Sequence, residues 1–347
     1  MTGLSPMILA PNRPARPYRG GEGIAALRGT SSEDDHRPED FIASTVSIFG
    51  DDHIGLSTLP DGSVLKDAIA QTPEQFLGAS HVDAFGAQPE LLVKLLDTGE
   101  RLFVHFHPDD AFAAKHLGLA HGKTEAWIVT AIRDAGPDSG AAYLGFARDV
   151  SAEEVADWVD SQNVPGMLAA MNKIVLRVGD AILVPAGVPH ALGPGLTVVE
   201  LQEPADVSVL LEFTGYPGVD RRNAFLDLDE ATALTALDRS SWGGARLRSL
   251  MVARRNGWLL PPAADRFFRA ERIKADGAHG LASGYAVLVV IDGAGAIRTS
   301  DSEIAVERGA TVLVPFAAGS VELVGPMEVI RCIPPAVARR HEHDVSA

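Results

Sequence analysis

The stretch HFHPDDAFAAKHLGLAHGKTEAW, residues 105–127, places two histidines at i and i+2 at the end of an apolar run. Side chains alternate along a strand. His105 and His107 therefore share a face with Phe103, while Val104 and Phe106 face the other way. Glu125, with Trp127 on its face, falls on the next expected strand, beyond a short helix over 109–117 that Asp109 and Asp110 can cap. A third imidazole, His190, ends GDAILVPAGVPH, where Gly187 and Pro189 turn the chain. Three ring nitrogens and one carboxylate oxygen suit zinc, iron(II), manganese, cobalt or nickel. The HxH spacing alone is weak, because two exposed histidines on a strand read the same way. HEH at 341–343 has that spacing in a polar tail and is not expected to hold a metal. His36, His53, His81, His116, His121 and His279 read as surface or loop residues.

The elements that must position these groups are mostly strands. RLFVHFH, EAWIVTAI, AAYLGFA, KIVLRV, AILVPA, TVVELQ and VSVLLEF are short, β-branched runs bounded by glycine and proline. Such spacing predicts a mainly β fold, a sandwich or barrel with helical insertions, rather than alternating βαβ units. Helices are expected at 73–78, at 151–162, where Ser151 and Glu154 form a capping-box pair, and at 227–241. Strands resume with FFRAERI, YAVLVVI, AIRTS, TVLVPF, VELVG and EVIRCI, and IDGAGA is expected to be a hairpin turn. GDAILVPAGVPHALG (179–193) and GATVLVPFAAGSVELVG (309–325) share a glycine, five residues, a proline and a small-residue turn. Only the first has the histidine. The reading is two related β-barrels: a metal-binding catalytic unit over 1–216, a partly helical connector over 217–258, and a degenerate, metal-free unit with a polar tail over 259–347. A chance likeness between two glycine-bounded hairpins is the alternative.

The 347 residues are 46% apolar and 22% charged, as in an ordinary globular protein. A formal net charge of −16 argues against a diffuse nucleic-acid or membrane surface. The apolar runs are strand-sized, no signal-peptide core opens the chain, and the single cysteine, Cys332, fits a reducing cytoplasm. An anionic substrate would need local cations to hold it against the global field.

The pattern G-x5-P-x-G-x2-H, met by Gly179, Pro185, Gly187 and His190, resembles the second motif of the cupin superfamily, which implies that the fold is two cupin-like β-barrels (jelly rolls) with helical insertions. Within it, LLVKLLDTGERLFVHFHPDDAFAAKHLG…GKTEAW resembles the type I mannose-6-phosphate isomerases, zinc enzymes of that superfamily. The likeness is strong over 89–127 and 175–206, fair over 17–215 and thin beyond. It implies metal ligands at His105, His107, Glu125 and His190, with His105 standing where the family has a glutamine. It also implies an active-site lysine at Lys123. The implied activity is aldose–ketose isomerisation through an enediol, mannose 6-phosphate to fructose 6-phosphate, with one divalent ion, zinc first among the candidates. Glu200 and Glu212 are candidate bases, either of which could instead pair with an arginine. The family's arginine after the last histidine is missing here, and Leu210 stands near its place. Arg19, Arg221 and Arg222 are the cations expected to bind substrate instead. An isomerase of unphosphorylated sugars, a dioxygenase and a sugar-binding cupin remain alternatives. The partner is a small sugar or sugar phosphate, and the sequence does not give the oligomeric state.

Overall fold

The computed structural model describes residues 4–32, 34–251 and 257–337. HEH at 341–343 lies outside them. The mainly β expectation holds: strands Glu39–Ile42, Leu92–Asp97, Leu196–Gln202, Glu125–Ile132 and Ala181–Val184 form one five-stranded sheet. A second runs Val209–Leu210, His105–Phe106, His190–Leu192, Ala141–Phe146 and Met171–Val175. The pairings are antiparallel, and the inner faces meet over a continuous apolar core.

The third sheet has six strands. Its members are Arg269–Leu281, Ala286–Arg298, Glu303–Glu307, Thr311–Val314 and Val321–Ile333, with Met7–Ile8 paired to Thr311–Val314 at one edge. Its apolar residues alternate. Val287, Val289, Leu313 and Ile330 join the main core, whereas Leu288, Val290, Val312 and Val329 build a separate cluster. A strand buried on both faces reads as an unbroken apolar run, which is why YAVLVVI carries no polar alternation.

Three local expectations change. IDGAGA is not a hairpin turn. It lies inside the strand Ala286–Arg298, whose register against Val321–Ile333 shifts between Val290 and Asp292. Gly293 takes a φ of 76°, and a Cβ there would meet the Pro326 carbonyl oxygen at 2.1 Å, so glycine serves a bulge and close strand approach rather than a turn. The helix over 227–241 shrinks to Glu230–Leu234, capped by Asp229. The strands around His105 and Leu210 shrink to two residues each. Elsewhere the local rules hold. Helix Ala152–Ser161 starts on Ser151, whose hydroxyl accepts from the Glu154 N–H, and Asp109 caps Phe112 in the same way. No helix among the described residues is long and apolar enough to cross a membrane.

Candidate metal centre and active site

The two facing sheets contribute different chemistry. The second sheet presents imidazoles. His105 and His190 sit directly opposite one another across a strand pair, and His107 follows two residues on. The first sheet presents carboxylates and lysines. Glu200 lies opposite Trp127 on one side and Lys94 on the other, so all three share the inner face, and Glu125 joins Trp127 there.

Each imidazole is oriented by its own backbone contact. The Nδ1 atoms of His105, His107 and His190 lie 3.0, 2.8 and 2.9 Å from the carbonyl oxygens of Phe103, Val207 and Val188. A carbonyl only accepts, so each Nδ1 carries the proton and each Nε2 offers a lone pair. Burial holds His105 and His190 below their ordinary pKa, and burial followed by the Lys123 charge lowers His107 to about 3. All three are neutral at physiological pH, the state in which imidazole binds metal.

Candidate ligand atoms on these histidines lie within 4.8 Å of one another. Glu125 reaches the same point: its oxygens are 3.0 Å from His107 Nε2 and 3.4 Å from His190 Nε2. Burial works against a charged Glu125, but Lys123 and then His107 outweigh it and hold the carboxylate well below the usual range. Lone pairs therefore face lone pairs at hydrogen-bond distance. His107 Nε2 and His190 Nε2 are buried without any hydrogen-bond partner, and Glu125 Oε2 is met only by the Lys123 ammonium at 3.1 Å. Orphaned acceptors at such a point are costly, and a divalent cation would satisfy all of them. Trp127 donates its indole N–H to Glu125 Oε1 at 2.9 Å, fixing the carboxylate as an outer partner fixes a ligand.

The cluster opens into a cavity of about 220 Å³ lined by Lys123, Glu200, Trp127, Arg16, Tyr18, Leu210 and Asn223 among others. Sites for drug-sized ligands occupy roughly 300–1,000 Å³, so this one suits a small metabolite. Lys123 lies 3.1 Å from Glu125 and 3.9 Å from Glu200. Burial opposes its charge, but Glu125 and Glu200 outweigh burial and raise its pKa. Burial and then the Glu125 charge push Glu200 well above the usual carboxylate range.

Lys123 sits on a loop clamped through consecutive backbone N–H groups. Gly122 donates to Asp110 at 2.8 Å, Lys123 to the Pro108 carbonyl at 2.9 Å, and Thr124 to Glu203 at 2.6 Å. A Cβ on Gly122 would lie 2.4 Å from the Pro108 oxygen, so the close approach requires glycine.

Of the other sequence-derived candidates, Glu212 is spent structurally: it takes both ends of Arg101 at 2.6 Å and the Val104 N–H at 2.9 Å. The structure does not bring Arg19, Arg221 or Arg222 to the cavity. Arg19 is 57% exposed beside Glu100, Arg221 pairs with Asp160 and Glu230, and Arg222 pairs with Asp227. His81, expected at the surface, is buried and bonded to the Gln88 carbonyl. His121, read the same way, is half-buried near Asp110 and Glu203.

Sequence reasoning missed a network behind the cavity. Lys94, 1% exposed, donates to Asp206 at 2.7 Å and lies 3.4 Å from Glu39. Arg16 bonds the same two carboxylates at 2.8 Å each, and Tyr18 donates to Glu39. One signal was present: a lysine inside the apolar run LLVKLLD has no reason to be there unless a buried anion meets it.

Antiparallel sheets with inward imidazoles and an inward carboxylate make a cupin-like fold carrying a candidate metal centre. The profile described as "Mannose-6-phosphate isomerase, cupin domain" matches residues 265–334. The chain is 26% identical over 284 residues to the mannose-6-phosphate isomerase of Streptococcus mutans, covering 79% of this chain and 85% of the relative. It is 24% identical over 248 residues to a mannose-6-phosphate isomerase of Bacillus subtilis, covering 69% and 73%. A crystal structure of the mannose 6-phosphate isomerase from Bacillus subtilis superposes with a TM-score of 0.72 at 22% identity, over 95% of this chain and 99% of that one. Over most of its length the chain is thus similar to mannose-6-phosphate isomerases.

Proposed function

We propose that the protein is a metal-dependent aldose–ketose isomerase that interconverts mannose 6-phosphate and fructose 6-phosphate through an enediol. Its named relatives are mannose-6-phosphate isomerases. The observation that carries the metal dependence is the pair of buried, unpartnered ring nitrogens on His107 and His190, facing the Glu125 carboxylate with His105 beside them. Those four would hold the ion, and zinc suits three imidazoles and a carboxylate. Such an ion supplies a Lewis acid that polarises the oxygens at C1 and C2 and stabilises enediolate charge.

The chain's own groups would carry the protons. Towards the ketose, C2 loses a proton and C1 gains one, while the C2 hydroxyl loses its proton and the C1 oxygen gains one. Glu200 is the candidate acid–base. A carboxylate whose proton affinity is raised by burial and by Glu125 is a stronger base near neutral pH than a solvated one. Lys123, held as an ammonium between Glu125 and Glu200, would orient the substrate oxygens. In this reading residues 1–216 form the catalytic unit, 217–258 the connector and 259–347 a unit without chemistry, and the protein acts in the cytoplasm.

Metal-loaded protein incubated with mannose 6-phosphate in D2O should yield fructose 6-phosphate with solvent deuterium at C1, read by NMR. Absence of turnover on this substrate contradicts the proposal. One observation favours isomerisation of free sugars as a second reading: Arg16, Lys94 and Lys123 are each already paired with a carboxylate.

A further inference from the structure

We infer that Arg16 is the residue that selects the phosphorylated end of the substrate. The inference rests on the isomerase reading above and adds the direction in which the sugar lies. The cavity has two distinguishable ends. His105, Glu125 and His190 line only the inner cavity. Arg16, Phe49, Leu210 and Asn223 line both that cavity and an adjoining outer cleft, so they stand at the passage between the two. An open-chain hexose 6-phosphate has the same polarity. Its reacting carbons are at one end and its dianion at the other. With C1 and C2 at the imidazoles, the phosphate falls at the passage.

Arg16 is the guanidinium at that point. Arg19, Arg221 and Arg222 are turned to other carboxylates, and Leu210, which also lines the passage, is apolar. Its backbone is fixed on both sides, donating to the His36 carbonyl at 2.9 Å and accepting from the His36 ring at 3.0 Å. The ion pairs do not exhaust the side chain. Nε bonds Glu39 and Nη2 bonds both oxygens of Asp206, while Nη1 makes no hydrogen bond among the described residues. A guanidinium carries five donors in a rigid fork, so the Nη1 pair can take a phosphate oxygen without releasing either carboxylate. Glu39 and Asp206 then act as props that aim the fork. Lys94 offsets their charge from behind, lying within 3.4 Å of both.

The test compares metal-loaded wild type, Arg16→Met and Arg16→Lys by two readouts. One is the ratio of kcat/KM on mannose 6-phosphate to that on free mannose. The other is equilibrium binding of sorbitol 6-phosphate, an open-chain hexitol phosphate with no carbonyl to isomerise. Arg16→Met should lower both the ratio and the affinity roughly tenfold to a hundredfold, the range of a charge-assisted hydrogen bond. If Arg16→Met does not fold, Arg16→Lys decides, because it keeps a cation for Glu39 and Asp206 but loses the fork, and the ratio should fall severalfold. An unchanged ratio and unchanged binding in a folded variant overturn the inference, as does an equal loss on both sugars. Wild type that binds sorbitol 6-phosphate through Arg16 but turns over no mannose 6-phosphate refutes the reaction and leaves the phosphate contact standing.

Discussion

Two segments of one sequence pattern, 179–193 and 309–325, lead to opposite interiors, and in neither do the two strands pair with each other. The first leaves strand Ala181–Val184 of the first sheet, turns at Gly187, whose N–H bonds the His107 carbonyl at 2.7 Å, and enters the second sheet on His190. The second leaves Thr311–Val314 and re-enters on Val321, buried in an apolar cluster. Around the first, the buried residues include Lys94, Lys123, Glu125, Glu200 and three histidines. In the third sheet Thr311 is the buried polar residue among those described. A β framework alone thus does not dictate a reactive interior. The reactive interior demands that each buried charge find a partner, whereas the dry one is held by apolar area.

The sharpest way to break this comparison is to remove a ligand from the wet interior. His107→Ala should abolish stoichiometric metal binding and lower kcat/KM by at least about a thousandfold, since a Lewis acid at the reacting oxygens contributes several kcal/mol. Elemental analysis beside kinetics checks it, and full metal content in the variant would refute the assignment.

The reciprocal change is Leu288→Ala, in the separate cluster of the third sheet. It should destabilise the protein by about 2–5 kcal/mol and leave metal content and kcat/KM of the folded fraction unchanged. Denaturant titration with parallel assays reads both.

A smaller effect comes from Glu203, which burial and then Asp110 raise to about 7. With a folded pKa above the unfolded one, folding is favoured fully below about pH 4 and the contribution is lost as pH rises through 7. Glu203→Gln keeps an acceptor for the Thr124 N–H and cannot ionise. Wild type should lose up to about 3 kcal/mol relative to this variant between pH 5 and pH 8. Parallel pH–stability curves would contradict it. Smallest, Ser151→Ala removes a helix cap and should cost about 0.5–2 kcal/mol without touching metal content.

The four candidate ligands were legible in the sequence because their residue types carry their own chemistry and sit in short motifs. The charged network was not. Lys94 and Asp206 are 112 positions apart, and Arg16 and Asp206 are 190 apart, so only sheet pairing brings them together. Arg19, three residues from Arg16, had the same sequence merit. The local path of the chain turned one into the cavity and the other to Glu100. IDGAGA misled for a related reason: glycines that permit a hairpin also permit a bulge, and the partner strand decides. Strands EAWIVTAI and TVVELQ were legible because their apolar runs are long and cleanly bounded.

The account turns on whether catalysis needs an ion among His105, His107, Glu125 and His190. Chelated, metal-free wild type should be titrated with zinc while mannose 6-phosphate turnover and bound metal are followed together. Activity should start near zero, rise in proportion to bound ion and saturate at one per chain. Full turnover in the metal-free protein would contradict the account.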